Sequence, residues 1–458
     1  MKADAAAGHP DNAHWLARSR AAVWHPCTQM QHHGQPESPA HLPLIPIARG
    51  HGIWLEDFAG HRFMDGISSW WTNLFGHANP RINAALHEQL DCLEHVMLAG
   101  FTHAPVVTLS ERLSALTDGH LGHAFYASDG ASATEIALKM SMHAWRNTGQ
   151  PEKNRFLCLA GSYHGETVGA LAVTDVDLFK TAYAPLIRSA TVLPSPDARQ
   201  AAPGESAAQV AERAAQALEN ELAEHASQIA ALILEPLVQG ASGMVMYDPA
   251  YLVAARRLCD RYQVHLICDE IAVGCGRTGT FFAHEQARID GQPMRPDLLC
   301  LSKGITGGYL PLSVVLASDA LYAAFLADDL GRAFLHSHSY TGNPLACRAA
   351  LATLDIFASD DVLTVNQQKA AKMGRCLAAL ATHAQVRHPR QRGMIAAFDV
   401  DTDIPWFSRR FYRAALQRGA LLRPIGNTVY VMPPYVITEP EMEDLFSIAA
   451  AALEEALA

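Results

Sequence analysis

Between Pro80 and about Ile356, short apolar runs alternate with helical patterns, and this alternation constrains the fold more than any other feature. The runs typical of buried strands are residues 123–128, 155–160, 231–236, 265–270 and 312–318. Helical patterns lie between them, as at 131–146 and 207–225. Strands that alternate with helices predict an α/β fold with a mostly parallel sheet between helices. Ligands bind such sheets beyond the carboxyl ends of the strands, so we look for a site there.

The remaining parts of the chain have shorter, mixed patterns. A chain of 458 residues is too long for one small core, which predicts more than one domain. We expect a flexible N-terminal tail at 1–23 and a large domain at 80–356. A smaller α/β lobe would be built from both chain ends, 24–79 and 357–458.

Charge and cysteine usage exclude several classes of partner. The net charge of −11 argues against a nucleic acid or an acidic membrane surface, since either would favour a basic face. No apolar run reaches the roughly 18 residues of a membrane span. The nine cysteines are scattered without a C-x-x-C pair, which favours a reducing compartment. We therefore expect a cytoplasmic protein that acts on small molecules.

Two apolar runs end in residues with useful chemistry. Asp269 ends the run at 265–270, and Ile271 lies on the same side of an extended chain. A carboxylate beside a branched apolar side chain suits a protonated ring nitrogen, with the apolar group against the face of the ring. Lys303 directly follows the apolar segment 298–301, and burial would lower its pKa, as a Schiff-base lysine requires. The alternative for Lys303 is a surface lysine in a loop.

Two further elements precede these in the chain. Gly130 stands before a helix whose start carries Ser132 and Glu135, the spacing of a capping box. Free backbone N–H groups at such a helix start bind phosphate. Tyr163 follows the run at 155–160, where an aromatic ring can stack on a cofactor. Each element alone is more often structural, as a helix cap or as packing.

The order of phosphate seat, aromatic ring, ring-nitrogen acid and lysine resembles the class III (ω-) aminotransferases of the pyridoxal-phosphate-dependent fold type I. The resemblance covers the chain from about Trp24 onward and implies pyridoxal 5'-phosphate as the cofactor. It implies that Lys303 holds the cofactor and moves the proton, with Asp269 pairing to the ring nitrogen and Tyr163 assisting in catalysis. By the same resemblance, the other cofactor contacts are Gly130, Ala131, Ser132, His164 and Ile271.

The resemblance also interprets two segments that suggest other chemistry. Residues 274–279 fit the dinucleotide pattern G-x-G-x-x-G, but they neither follow a strand directly nor open a helix. They match the glycine-rich stretch of the family, with Arg277 near the active site. His336 and His338 supply at most two ligands, so we expect no metal. The family's loop at 336–344 reaches the neighbouring subunit's phosphate through Ser339, which implies a homodimer with shared active sites.

Three segments, 24–30, 65–80 and 421–435, resemble the branch of the class that aminates 8-amino-7-oxononanoate to 7,8-diaminononanoate in biotin synthesis. In a strand, Trp70 and Trp71 would point to opposite faces, and core packing is the alternative to a pocket. The resemblance assigns both to the slot for the substrate's alkyl chain and Arg423 to its carboxylate. The remaining substrate contacts that it implies are Cys27, Arg277, Ser337 and Tyr430.

Three positions depart from the family pattern. Cys27 stands where an aromatic residue, usually Tyr, contacts the substrate, and Glu166 replaces an Asp. Ala131 replaces a Ser, for which Ser132 could compensate. Most of the family uses S-adenosylmethionine as the amino donor and a minority uses lysine; we prefer S-adenosylmethionine. Two other functions stay open: a general ω-aminotransferase acting on diamines or β-amino acids, and a non-enzymatic regulator, which would need an appended interaction segment.

Overall fold

The computed structural model describes residues 11–458, which form two compact units. The large unit comprises residues 80–368 and 390–394. The small unit comprises the other described residues, 11–79, 369–389 and 395–458. The large unit therefore extends beyond the predicted end at Ile356, because the helix Pro344–Ser359 runs through that position without a break.

A seven-stranded sheet forms the core of the large unit. Its strands lie in the order His123–Ala127, Ser313–Ala317, Leu298–Leu301, His265–Asp269, Ile229–Leu234, Arg155–Leu159 and Thr191–Leu193. Ser313–Ala317 runs antiparallel to the other six strands, which are parallel to one another. Ile229–Leu234 is buried at all six positions, as in strands covered on both faces. The predicted α/β fold with a mostly parallel sheet is confirmed, and all five predicted strands are present.

Helices connect these strands. The α-helices that lie in the large unit are Pro80–Leu90, Ala104–Leu116, Gly130–Asn147, Val168–Ala172, Asp177–Lys180, Ala207–His225, Ala250–Tyr262, Asp319–Ala323 and Pro344–Ser359, and Val362–Leu380 begins there. Two of them, Gly130–Asn147 and Ala207–His225, are the helices expected at 131–146 and 207–225. The second helix is amphipathic and begins with a capping box between Ser206 and Gln209.

Short elements complete the large unit. Two hairpins pair Val238–Gln239 with Val245–Met246 and Arg288–Ile289 with Gln292–Pro293. The 3₁₀ turns of this unit are Thr181–Leu186, Ala198–Gln200, Ala283–Gln286, Lys303–Thr306 and Leu330–Arg332. Across residues 11–458, no helix combines the length and the apolar character that a membrane crossing requires.

The small unit contains two sheets. One has the strand order Ile47–His51, Trp54–Asp57, Arg62–Asp65 and Ala420–Leu421; the other has Val386–Arg392, Ile395–Val400 and Thr428–Val431. Its helical segments are Asn12–Ala22, Met30–Gly34, Ser68–Trp71, Phe407–Gln417 and Glu439–Leu457.

The prediction of a flexible tail at 1–23 is wrong for residues 12–22. These residues form the helix Asn12–Ala22, whose first turn is capped by the side chain of Asp11. The Asn12 amide also donates to Asp57 Oδ2 at 2.8 Å, which ties the helix to the strand Trp54–Asp57. Residues 1–10 lie outside the described residues.

Candidate active site

Four neighbouring parallel strands of the large unit end at one edge of the sheet, and polar side chains follow each end. In sheet order these are Lys303 after Leu298–Leu301, Asp269 at the end of His265–Asp269, Glu235 after Ile229–Leu234, and Tyr163 with His164 after Arg155–Leu159. In the strand register, Asp269 pairs with Cys300 and Cys268 pairs with Leu234. The sheet therefore gathers an amine, two acids, an imidazole and a phenol at the edge where α/β proteins bind ligands.

Asp269 is a buried carboxylate with both oxygens engaged. It is only 3% exposed; its Oδ1 accepts from Ile271 N at 3.0 Å, and its Oδ2 accepts from His164 Nδ1 at 2.7 Å. His164 is held in turn by Thr134 and Thr174, which bond to its backbone C=O and N–H. Among residues 11–458, His164 Nε2 is buried without a hydrogen-bond partner. This arrangement holds a negative charge in a fixed position inside the protein.

Lys303 follows the adjacent strand in an uncommon backbone conformation. Its φ of 45° lies in the left-handed region, which is sparsely populated by residues other than glycine and concentrates at functional sites. Burial lowers the pKa of the Lys303 ammonium to about 8, although the charges of Asp269 and Glu235 oppose the shift. A large fraction of Lys303 is therefore neutral near pH 8, as a nucleophilic amine must be.

Glu235 belongs to this cluster and was not identified from the sequence. It is 4% exposed, and its carboxylate accepts from Tyr163 N at 3.1 Å and from Gly240 N at 2.9 Å. Burial raises the pKa of Glu235 to about 7, and the charge of Asp269 adds to this effect. A sequence signal did exist, because the run at 231–236 reaches an acid at its end just as the run at 265–270 does.

The Tyr163 side chain is oriented by two contacts. Its hydroxyl donates to Glu166 Oε1 at 2.8 Å, and its ring packs edge-on against Phe179 with 5.4 Å between centroids. At this position the longer side chain of Glu166, where the family pattern has Asp, reaches the phenol.

The helix Gly130–Asn147 begins differently from the expectation. Asp129 caps it, accepting from both the N–H and the hydroxyl of Ser132 at 2.9 and 2.8 Å. The capping box predicted for Ser132 and Glu135 is therefore wrong, because the helix starts before Ser132. In this structure the Ser132 hydroxyl is bonded to Asp129, and whether it compensates for the hydroxyl that Ala131 lacks stays a prediction.

The backbone at this helix start remains available to an anion. Within residues 11–458, the N–H groups of Gly130 and Ala131 make no hydrogen bond. A Cβ at position 130 would lie 3.0 Å from the Ile271 side chain, so glycine lets the helix start approach Ile271 closely. Two amides and the positive end of the helix dipole are a suitable seat for phosphate.

The other large-unit residues predicted for the site lie in two loops. Ser337 and Ser339 are exposed. The neighbouring residues His336 and His338 form a chain of basic side chains with Lys139. Lys139 Nζ donates to His336 Nδ1 at 2.7 Å, and His336 Nε2 lies 3.3 Å from His338 Nε2. Arg277 is only 1% exposed, in a turn that leads to Ala283–Gln286 rather than to an α-helix. No group of three or more candidate metal ligands occurs within the described chain.

Five predicted substrate-binding residues lie together in the small unit: Cys27, Trp70, Trp71, Arg423 and Tyr430. Arg423 Nη2 donates to the Cys27 carbonyl at 3.4 Å, and its guanidinium carbon lies 5.2 Å from the centroid of the Trp70 ring. Arg423 has no carboxylate partner among residues 11–458, which leaves a half-buried guanidinium without a counterion. Trp70 and Arg423 also line a cavity of about 300 Å³ whose other walls are mainly apolar.

The tandem tryptophans do not lie in a strand, so the expectation of opposite strand faces is wrong. Ser68, Ser69, Trp70 and Trp71 have φ values of 53°, 47°, 70° and 74°, which form a left-handed turn. Such a conformation costs about 1–2 kcal/mol per non-glycine residue. Trp71 is 5% exposed and donates through Nε1 to Tyr430 Oη at 3.1 Å, whereas Trp70 is 45% exposed. Burial raises the pKa of Tyr430 to about 12.

Comparisons with known proteins show the family of this chain. Residues 36–453 match the family Aminotransferase class-III. The chain is 45% identical over 428 residues to adenosylmethionine-8-amino-7-oxononanoate aminotransferase of Helicobacter pylori, with 92% of this chain and 93% of that protein covered. It is 39% identical over 437 residues to the protein of the same name from Geobacter sulfurreducens, covering 93% and 94%.

Solved structures with different functional names share the fold. The adenosylmethionine-8-amino-7-oxononanoate aminotransferase of Methanocaldococcus jannaschii aligns with a TM-score of 0.88 at 32% identity, covering 97% of this chain and 99% of that one. An (S)-enantioselective ω-transaminase from Thermomicrobium roseum aligns with a TM-score of 0.91 at 30% identity, covering 98% and 99%. The match extends over nearly the whole chain, and this protein belongs to the class-III aminotransferases, enzymes that depend on pyridoxal phosphate.

Proposed function

We propose that this enzyme transfers an amino group to 8-amino-7-oxononanoate and so makes 7,8-diaminononanoate for biotin synthesis. The observation that carries the proposal is Arg423, a half-buried guanidinium without a carboxylate partner among the described residues, beside the exposed indole of Trp70. A guanidinium suits the terminal carboxylate of this substrate, and the indole suits its alkyl chain. The names of the relatives in Helicobacter and Geobacter support the same reaction.

The residues of the large unit suit pyridoxal phosphate. Asp269 offers a fixed negative charge for the ring nitrogen, and the amides of Gly130 and Ala131 offer donors for the phosphate. Lys303 offers an amine of lowered pKa for the aldehyde carbon. When bound, pyridoxal phosphate supplies an aldehyde that takes up amino groups and a ring that withdraws electrons from the bond being broken.

The protein's own part in the reaction is to hold groups and to move one proton. Lys303 Nζ accepts the proton of the donor's α-carbon in the first half-reaction and delivers a proton to C7 of the oxo acid in the second. A pKa of about 8 suits both tasks near neutral pH. His164 and the Ile271 N–H keep the Asp269 carboxylate in place. The Glu235 carboxylate accepts from the backbone N–H of Tyr163 and so holds the loop that carries Tyr163.

S-adenosylmethionine is the proposed donor, as in the names of the relatives. Lysine is the second candidate because of Cys27. This residue is exposed beside Arg423, and its thiol offers no ring face to a donor. Glu166 favours neither S-adenosylmethionine nor lysine, because both donors carry a positive charge that its exposed carboxylate would attract.

We also propose that the enzyme works in the cytoplasm as a homodimer with shared active sites. Phe101 and Val107 are 58% and 42% exposed and line a cavity of about 640 Å³ on the large unit, a surface suited to a second copy. Ser339 is exposed, as a residue that contacts the partner's phosphate must be in the isolated chain. The nine cysteines are all free, which fits a reducing compartment.

Steady-state product analysis tests the proposed reaction. The purified protein is loaded with pyridoxal phosphate and given 8-amino-7-oxononanoate with either S-adenosylmethionine or lysine, and the products are identified by mass spectrometry. Formation of 7,8-diaminononanoate with S-adenosylmethionine supports the proposal, and formation with lysine alone corrects only the donor. Failure to aminate the oxo acid with either donor, together with turnover of diamines or β-amino acids, would reassign the enzyme to the general ω-aminotransferases.

A further inference from the structure

The left-handed turn at Ser68–Trp71 needs support from outside itself. Its sequence contains no glycine, and four successive residues adopt a conformation that L-residues avoid. Two backbone bonds close the turn, from Trp71 N to Ile67 O at 2.9 Å and from Thr72 N to Ser68 O at 3.0 Å. Strain of this kind persists only where the surrounding structure fixes it.

Asp65 supplies the support at the start of the turn. It ends the strand Arg62–Asp65 and is 1% exposed. Its Oδ1 accepts from Ser69 N at 2.8 Å, and its Oδ2 accepts from the Ser69 hydroxyl at 2.7 Å and from His77 Nε2 at 3.0 Å. Both carboxylate oxygens therefore accept hydrogen bonds from Ser69 in the turn, and Oδ2 also accepts one from His77.

His77 is itself fixed in the orientation that Asp65 requires. His77 lies between the two side chains, with Asn73 Nδ2 at 3.2 Å from its Nδ1 and Asp65 Oδ2 at 3.0 Å from its Nε2. The ring packs on Gly50, where a Cβ would lie only 2.8 Å from His77 Cβ. A continuous chain of hydrogen bonds therefore lies behind the turn and runs from Asn73 through His77 and Asp65 to Ser69.

The other end of the turn is attached to the core. Ser68 Oγ donates to Met432 O at 2.8 Å, and Trp71 Nε1 donates to Tyr430 Oη at 3.1 Å. Between these anchors, Trp70 is the large side chain that the turn leaves exposed, with the Arg423 guanidinium carbon 5.2 Å from its ring. The position of the indole is therefore set by the handedness of the turn.

From these contacts we infer that Asp65 is a positioning residue: it keeps the turn left-handed and so places Trp70 beside Arg423, which sets the affinity for the oxo acid rather than the rate of amino transfer. The inference rests on the proposed function, because it takes Trp70 and Arg423 as the binding surface for the substrate's chain and carboxylate. Asp65 does not touch the substrate in this account.

The kinetic test is Asp65→Asn, which preserves size but replaces one accepting oxygen by an amide that cannot accept from Ser69 or His77. We expect the KM for 8-amino-7-oxononanoate to rise about tenfold, or about 1.4 kcal/mol. The kcat and the half-reaction with the donor should change less than about threefold. Ser69→Ala removes only the hydroxyl bond to Asp65 and should raise the same KM by a smaller factor, even if Asp65→Asn folds poorly.

Asp57 provides the matched control. It ends the neighbouring strand Trp54–Asp57, is 5% exposed and accepts from His61 Nδ1 at 2.8 Å, but it makes no contact with the turn. Asp57→Asn also replaces a buried carboxylate of this sheet by an amide, and it should leave the KM for the oxo acid unchanged. An equal rise in both variants would show a general effect on the small unit and overturn the inference.

A spectroscopic cycle tests the positioning without any substrate. Asp65→Asn should alter the near-ultraviolet circular dichroism of tryptophan, and this change should disappear in a Trp70→Phe background. Ser69→Gly added to Asp65→Asn should restore part of the signal and of the affinity, because glycine adopts a φ of 47° without penalty.

The outcomes separate the two proposals. A dichroism change that persists without Trp70, or an equal loss in the KM values of both substrates, would overturn the role of Asp65. If the wild-type enzyme does not aminate the oxo acid, the proposed function fails, and the dichroism cycle still decides whether Asp65 positions Trp70.

Discussion

Replacing Arg423 by Ala should weaken binding of the oxo acid about 150-fold while leaving the donor almost unaffected. The guanidinium is half-buried and has no carboxylate partner among residues 11–458, so the substrate's carboxylate competes with no internal acid. Two charge-assisted hydrogen bonds contribute about 1.5–3 kcal/mol each. Partial exposure reduces their sum to about 3 kcal/mol, which corresponds to about 150-fold in the KM for 8-amino-7-oxononanoate.

The assay is the measurement of kcat and of both KM values over a matrix of donor and oxo acid concentrations. Arg423→Lys keeps the charge but loses the planar fork, and its KM should rise only about tenfold. Arg387→Ala is the control, because Arg387 is an exposed arginine of the small unit that pairs with Asp401 at 3.0 Å. Its substitution should change neither KM.

Two results would refute the assignment of Arg423. Equal increases in the KM values for the donor and the oxo acid would mean that the residue supports the site in general. A change no larger than that of Arg387→Ala would mean that the carboxylate binds elsewhere.

Three further predictions concern the large unit. Lys303→Ala should abolish turnover while size-exclusion chromatography shows the same elution volume as the wild type; residual turnover in a carefully purified variant would contradict its role. Asp269→Asn should lower kcat by about 10²- to 10³-fold, because the ring nitrogen loses a fixed negative charge, and single-turnover rates would reveal whether it does. Because half of Lys303 is neutral at its pKa of about 8, the rate at which the apoenzyme captures pyridoxal phosphate covalently should be half-maximal near pH 8, and stopped-flow absorbance should show it level off about one pH unit higher. A rate that climbs to about pH 10, the range of an ordinary lysine, would contradict the lowered pKa.

The parallel sheet was predictable because its signals are local. Each of the five predicted strands is a short apolar run, and burial on both faces makes such runs continuous. Asp269 and Lys303 could be assigned to one edge because the carboxyl ends of parallel strands meet there. Glu235 follows the same rule and was missed only because its run was treated as a strand and not searched for an acid.

The turn at the tandem tryptophans could not be predicted from its own residues. Its handedness depends on Asp65 and on Met432, which is 364 residues away from Ser68 in the chain. Local propensity disfavours this conformation, so tertiary contacts decide it. The helix start at Gly130 was placed wrongly for a smaller reason, since Asp129 and Ser132 are both good caps and only the structure shows which one accepts.

The most direct test of the account is a two-step absorbance measurement on the enzyme loaded with pyridoxal phosphate. S-adenosylmethionine is added first, without the oxo acid, and 8-amino-7-oxononanoate is added after the excess donor has been removed. We expect the donor to bleach the absorbance of the lysine-bound cofactor and the oxo acid to restore it, with one equivalent of 7,8-diaminononanoate formed per site. Bleaching that the oxo acid does not reverse, or bleaching only by a diamine or a β-amino acid, would contradict the account.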